Sequence, residues 1–450
     1  KIPPLRRTQS DCIWLVMNSE NHDTMDYGNS FLALQSLRNH PDYRDRRLPD
    51  GRPLTEYVSA WTEYYKRYCD ERANSGLFVE LSPIYGKWFL PEVMNIHDFA
   101  DDPVLRRKMG LLLHLVYADW AIDQIKGIRG GGKTRAYPNQ YSSSGNSDSW
   151  SDMMRTMLDI NGDWEKNHYL NTLIPYYYIL GTSTYEIPDL IINLALDKER
   201  GEYEYVSLRP GKLADQPDWV ESKIEEYRKW NAVWGTPLAY WMDGRDPRVV
   251  RYSYCTPDYI LGSWFEDPNA DYAGIHTQNR WQGIIFATGP DARVYPECMV
   301  TRKEANYRQH QAIQHENVLI VQKNRKSKDA GAMRVRFASG MKQRLVERDG
   351  WMLLDEGGAY LAVRVFGDGG YEWADENYIL CKDEFTPVIF VAGREAEHPT
   401  LDAFFAYVQS VEPAAADDML TCSFRNPSGR EVSLGMDIGQ QTRRVTINGK

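Results

Sequence analysis

The chain reads as a multidomain α and β protein, with a helical first half followed by short antiparallel strands. Three observations carry that expectation. Up to about residue 245 the apolar residues recur at the three- and four-residue spacing of amphipathic helices. From about Trp281 the period falls to the alternation of strands bounded by Gly, Asp, Asn or Pro. At 450 residues, 42% hydrophobic and 26% charged, the sequence has globular composition and is too long for one core. The expected division is a helical domain over 1–245 and an antiparallel β-sandwich domain over 246–450.

The helices come first. Asn29–Leu37 (NSFLALQSL) has helical spacing and is broken by HPDYRDRRLPDGRP. Leu54–Asp70 is amphipathic, with Val58, Trp61 and Tyr65 along one stripe. Val104–Ile125 follows Asp101-Asp102-Pro103, a capped start with an early proline. Tyr169–Leu180, Ile187–Leu196 and Trp219–Trp234 continue the pattern, the last with Glu221, Lys223, Glu225 and Lys229 on its wet side. Arg129–Trp150, rich in Gly, Ser and Asn, reads as a long surface loop. Strands are expected at WQGIIFA, NVLIVQKN, MRVRFAS, QRLVER, WMLL, AYLAVRVF and PVIFVAG, then LTCSF, EVSLGMDI and TRRVTIN, with one helix at Leu401–Val408. Few intervening helices point to a sandwich and not to a parallel sheet.

Composition removes several function classes. With 53 Lys and Arg against 63 Asp and Glu, the net charge of −10 disfavours general nucleic-acid binding, which needs a basic face. No apolar run approaches the roughly 18 residues of a membrane helix, so no membrane span is expected. Cys12, Cys69, Cys255, Cys298, Cys381 and Cys422 form no Cys-x-x-Cys pair, which argues against a cysteine zinc or redox site. No metal-ligand spacing stands out and no cofactor is expected, although a structural ion in the β-domain is left open. The 29 Tyr and 14 Trp against 13 Phe suit a surface that stacks on a ligand and hydrogen-bonds it. The chain begins Lys1-Ile2-Pro3 without an initiator Met, as a processed or truncated chain would.

Four clusters carry chemistry. Gly127-Ile-Arg-Gly-Gly-Gly-Lys133-Thr134 matches the phosphate-loop pattern but lacks the strand before it and the helix after it. Its Arg129 and Lys133, with Arg135, suit an anionic substrate better, or form a solvated basic loop. In Asn18-Ser19-Glu20-Asn21-His22-Asp23, an amide to bond a carboxylate sits beside an imidazole able to take a proton near neutral pH. A helix cap with a structural His would give the same pattern. Glu80-Leu-Ser-Pro-Ile-Tyr85 begins a helix running through Trp88 and Phe89, and Arg251–Tyr259 is a Tyr-rich junction between the halves.

Taken together, Asn-His near a helix start, E-x-SP-x-Y some sixty residues on, the Tyr-rich junction and the strand-rich remainder resemble the heparinase II/III-like and alginate lyase superfamily of polysaccharide lyases. Gly358–Val363 and Gln278–Gly283 resemble its β-domain. The resemblance implies an (α/α) toroid followed by a β-sandwich. Several toroid helices precede the Asn-His pair in that family, whereas only about twenty residues do here. The implied toroid is therefore shorter, or its N-terminal part is absent from this chain.

The implied reaction is β-elimination at a uronic acid. Asn21 would offset the substrate carboxylate's charge, helped by Arg129, Arg135 or a protonated Glu20. His22 would take the C5 proton for one stereochemistry. Tyr85 would protonate the departing oxygen, or act as base when both protons lie on one face. Tyr254, or else Tyr252, would be a second hydroxyl. His276 and His315 would complete the site, Lys133 would meet the anionic chain, and Trp88, Trp150 and Trp264 would stack on sugars or pack in the interior. A secreted or periplasmic enzyme acting on an anionic polysaccharide is expected. Two alternatives stand beside it: an (α/α)-toroid glycoside hydrolase built on Glu20 with Asp23 or Glu80, and a non-catalytic glycan-binding protein.

Overall fold

The structure, a computed structural model, describes residues 5–9, 12–16, 19–137, 142–158, 178–210, 240–242, 244, 249–266, 279–297, 310–325, 331–416, 419–440 and 442–450. Asn18, His276, Gln278, Cys298, the expected helix Trp219–Trp234 and most of Tyr169–Leu180 lie outside the described residues. Two compact units form, one from 1–122, 149–196 and 208–248, the other from 123–148, 197–207 and 249–450. The change of period near 245 suggests a single cut, yet two segments from the first half belong to the second unit.

The first unit is helical. Helix α1 spans Glu20–Asn39, α2 Leu54–Ser75, α3 Gly86–Phe99, α4 Pro103–Ile122 and α5 Ser149–Leu158. Helix α1 starts at Glu20 and not at Asn29, because Ser19 caps it through an extended backbone and a hydroxyl that accepts from His22 N–H. Its polar first turns carry no apolar pattern, so periodicity alone misses them. Helix α2 buries Val58, Trp61 and Tyr65 as its stripe requires, and ends on Gly76 in the left-handed conformation. Helix α4 is capped by Asp102, whose carboxylate accepts from Leu105 N–H at 2.8 Å.

Helices α1 and α3 run parallel and in register. Gln35 donates to the Phe99 carbonyl from 64 residues away, and Gly28 stands against Glu92 at the same offset. A Cβ on Gly28 would lie 2.0 Å from Glu92 Oε1, so the Glu92 side chain fills the space that the glycine leaves. The same offset sets Tyr85 level with Asn21. Arg72, near the end of α2, pairs with Glu20 at the start of α1, so those two helices are antiparallel. Lys66 with Asp102 and Cys69 with Met109 set α2 and α4 parallel. The unit thus repeats a helical hairpin, α1–α2 and then α3–α4.

The second unit is built of antiparallel sheets. One sheet has eight strands in the order Tyr371–Trp373, Tyr378–Cys381, Arg334–Phe337, Arg293–Glu297, Gly283–Phe286, Tyr259–Phe265, Val249–Cys255 and Tyr203–Arg209. A six-stranded sheet runs His310–His315, Val318–Lys323, Val388–Arg394, Ala359–Val365, Trp351–Glu356 and Val346–Arg348. Alternation explains the packing. Leu319, Val321 and Phe390 join the core shared with the eight-stranded sheet. Their neighbours Val318, Ile320 and Ile389 face the helix Leu401–Ser410 and a third, four-stranded sheet. Strands buried on both faces read as continuous apolar runs, as VLIV and VIFVA do.

The expected surface loop at Arg129–Trp150 is not one. Gly130, Gly131 and Gly132 lie against the strands Val249–Cys255 and Tyr259–Phe265, where a Cβ would meet Ile260, Ser253 and the Ser263 carbonyl in turn. Arg251 donates to the carbonyls of Gly130 and Gly132 at 3.1 and 2.9 Å and pairs with buried Asp123. The glycines therefore serve backbone-to-strand packing, and the basic residues that flank them are carried inside.

Glu92 gives a stability test. Burial on α3 pushes its carboxyl from 4.5 up to about 8, so it is a neutral acid in the fold. A raised carboxyl contributes stability that is fully present below pH 4.5 and is lost as pH climbs to about 8. Over that window the wild type should lose up to about 1.4 kcal/mol per pH unit from this group. Glu92→Gln keeps the shape without the titration, so its chemical-denaturation midpoint should vary distinctly less with pH. Parallel curves for the two proteins would show that Glu92 is ionised in the fold.

Candidate active site

In the first unit the site begins at the Ser19 cap. Ser19 Oγ lies 2.7 Å from Asn21 Oδ1, to which it donates, and 2.7 Å from His22 Nδ1. Asn21 is 2% exposed, whereas His22 is exposed.

Beneath this pair a network of charges fixes the helix start. Glu20 N–H donates to Glu80 Oε1 at 2.8 Å, and Glu80 N–H donates back to Glu20 Oε2 at 2.8 Å. Val79 N–H reaches Glu20 Oε1 at 3.0 Å, and Arg72 Nη1 pairs with the same oxygen. Arg72 also lies over the rings of Trp14 and Tyr68, at 4.1 and 4.8 Å. Burial pushes the Glu20 carboxyl up, while Arg72 and the two backbone donors pull it down. With both oxygens taken and 2% exposure, Glu20 positions the site and does not bind substrate as the sequence suggests. Asp23 faces the other way and pairs with Arg7 at 3.4 Å. A cavity of about 20 Å³ on that side of α1, lined by Arg7, Tyr27, Tyr64 and Tyr65 among others, has room for water and not for a sugar.

Tyr85 is the residue before α3 and is half-buried. The turn leading to it is held by Ser82, whose hydroxyl accepts from Ile84 N–H at 3.3 Å and Tyr85 N–H at 3.4 Å. Helix α5 braces the turn from behind. Trp150 N–H donates to the Pro83 carbonyl at 3.0 Å and Ser149 Oγ to the Ile84 carbonyl at 3.1 Å. The Trp150 indole covers Gly86, where a Cβ would lie 1.3 Å from the ring. Trp150 is 3% exposed, so it packs and does not stack on sugars. Trp88 is half-buried with Lys87 Nζ 5.4 Å from its ring centre. Parallel helices in register bring the Ser19-Asn21-His22 group and Tyr85 to the same end of α1 and α3. Adjacent helix axes lie about 8–10 Å apart.

The second unit holds the remaining expected residues. Arg129, Lys133 and Arg135 are 3, 2 and 7% exposed. Lys133 pairs its backbone with Trp281 and lays its ammonium 3.9 Å from that ring's centre. Burial, and then Arg293, hold the Lys133 amine well below its ordinary value, so the expected solvated basic loop becomes part of the interior. Trp264 is fully buried. Tyr254 Oη donates to Glu202 at 2.8 Å, and Tyr252 Oη donates to Glu204 while accepting from Glu316 N–H at 2.8 Å. Burial and the adjacent carboxylates push both phenols far up, so each is a firm donor and a poor base. His315 stands 4.0 Å from both Glu204 and Glu316, and burial lowers its imidazole. Among the described residues no cluster of His, Cys, Asp and Glu could hold a metal.

Arg72 is the residue that sequence reasoning misses, while Ser19 is legible there only as part of a helix cap. The Arg72 pairing spans 52 residues and leaves no local trace.

No protein-family model matches the chain, and no curated protein sequence does. Among solved structures, a mutant of heparan sulfate lyase HepC from Pedobacter heparinus aligns over 95% of this chain and 74% of that one, at 9% identity and a TM-score of 0.18. At that score the likeness bears on neither fold nor chemistry.

Arg72 tests the network beneath the site. Arg72→Met leaves a buried carboxylate without its ion-pair partner and should lower unfolding free energy by about 3–5 kcal/mol. A second change, Glu20→Gln, should recover part of that loss in a denaturation cycle. Strict additivity of the two losses would show that the pair is not coupled.

Proposed function

We propose that the protein is a polysaccharide lyase that cleaves a uronate-containing anionic polysaccharide by β-elimination. One observation carries the proposal: an amide and an imidazole tied to one hydroxyl at the start of α1, level with a tyrosine at the start of the parallel helix α3. An elimination needs three such groups. The C5 proton is only weakly acidic, so Asn21 offsets the charge on the adjacent carboxylate. His22 takes the proton, and the electrons of the C5–H bond become the C4–C5 double bond. The C4–O bond breaks, and Tyr85 supplies the proton that the leaving oxygen takes.

What supports this over a glycoside hydrolase is the engagement of the carboxylates. A hydrolase needs an acid and a second carboxylate facing the glycosidic bond. Glu20 and Glu80 instead accept each other's backbone N–H groups, and Asp23 is turned to Arg7. The repeated hairpins α1–α2 and α3–α4 suit a shortened (α/α) toroid, to which we assign the first unit. A secreted or periplasmic setting, where such polymers are met, belongs to the same reading.

The test is ultraviolet absorbance of the unsaturated product on alginate, glucuronan, heparan, chondroitin, hyaluronan and ulvan. One polymer should give a rising signal that His22→Ala abolishes and Tyr85→Phe lowers by about a hundredfold or more. Binding and folding should survive the loss of one hydroxyl. Reducing ends without absorbance would establish hydrolysis instead. A Tyr85→Phe protein within a few-fold of wild type would remove Tyr85 from the reaction.

A further inference from the structure

We infer that Ser19 is a positioning residue, whose single hydroxyl proton sets both the tautomer of His22 and the orientation of the Asn21 amide. The inference rests on the lyase reading for its consequence in catalysis, but its structural content stands apart from it.

Proton counting makes the argument. Ser19 Oγ faces Asn21 Oδ1 and His22 Nδ1 at 2.7 Å each, and His22 N–H at 3.4 Å. A hydroxyl carries one proton and two lone pairs. An amide oxygen only accepts, so the Ser19 proton goes to Asn21 Oδ1. The oxygen's remaining capacity is for acceptance, and His22 Nδ1 must then bear a proton and donate it to Ser19. A neutral imidazole has one N–H, which puts the lone pair on Nε2.

Two consequences follow from that one proton. The imidazole holds its basic nitrogen at the far side of the ring from Ser19, as a base must if it is to reach a substrate proton while its other nitrogen is held. The amide oxygen of Asn21, anchored by Ser19, leaves the NH₂ group as the end that carries donors to a carboxylate. An amide turned the other way would set its oxygen against the substrate's negative charge. The backbone supports the arrangement, because Ser19 is extended (φ −150°, ψ 158°) while residues from Glu20 on are helical. That break in conformation lets one hydroxyl face the second and third residues of the helix together.

The role differs from that of an ordinary cap. A cap needs only an acceptor for a backbone N–H, whereas this role needs a donor and an acceptor on one atom. Ser19→Thr keeps both functions. Ser19→Ala removes both. Ser19→Asp keeps the acceptor for the cap and for Nδ1–H but has no proton for Asn21.

The first measurement is the nitrogen-15 chemical shifts of His22 in the full chain, at a pH where the imidazole is neutral. Wild type and Ser19→Thr should show Nδ1 protonated and Nε2 bare, and Ser19→Ala should shift toward the Nε2–H form. Nε2–H as the main form in wild type would overturn the inference whatever the enzyme does. The second measurement is turnover on the polymer found by absorbance. Ser19→Ala should lower kcat by about tenfold or more and raise KM, and Ser19→Thr should restore most of both. Ser19→Asp should raise KM and lower kcat. Wild-type kcat in a folded Ser19→Ala protein would also overturn the inference. Absence of elimination on every polymer would sink the lyase reading and leave the tautomer result to stand or fall by itself.

Discussion

The first unit depends on the exchange between Glu20 and Glu80. Each carboxylate accepts the other residue's backbone N–H, and Arg72 closes on Glu20 from the end of α2. Backbone donors at a helix start have no intrahelical partner, and the segment before α3 has none from a sheet. The exchange satisfies both at once and ties two pieces of chain sixty residues apart. Leaving either carboxylate without its donors would bury an uncompensated charge. The start of α1 and the turn carrying Tyr85 are therefore set by one interaction, and Gly28 against Glu92 maintains the alignment further along the pair.

Much of this architecture is legible in the sequence, and the illegible part has a common cause. The stripe on α2, the proline start of α4 and the strands NVLIVQKN and PVIFVAG are local patterns of burial, and they fall where their periods say. Helix α1 was half hidden because its opening turns are polar and its start is marked by a cap. The glycine-rich run at Gly130–Gly132 looks local and is not. Its purpose is to let backbone pass against Gly262 and Ser263, which are far along the chain, so composition alone suggests a solvated loop. The Asn-His pair and Tyr85 were visible as residue types. Their alignment required the parallel α1–α3 register, which no short motif encodes.

The same distinction separates the aromatic residues. Tyrosine and tryptophan are abundant enough to suggest a sugar-binding surface, yet Trp61, Trp120, Trp264 and Trp281 are among the largest fully buried side chains. Trp150 serves as a brace behind the Tyr85 turn. Tyr252 and Tyr254 are fixed by carboxylates in a core between sheets. Tyr252, Tyr254 and Trp281 use their polar edges inside the protein, so the abundance of aromatic residues reflects internal packing as much as recognition.

These assignments bear on which groups can move protons. A phenol that donates to a carboxylate and is shielded from water holds its proton firmly, because ionising it would place two negative charges together. Tyr254 beside Glu202 and Tyr252 beside Glu204 meet that description. Tyr85 is instead half-buried as the residue before α3. Among the tyrosines that the sequence nominates, the electrostatics of Tyr252 and Tyr254 thus suit them to holding a structure together.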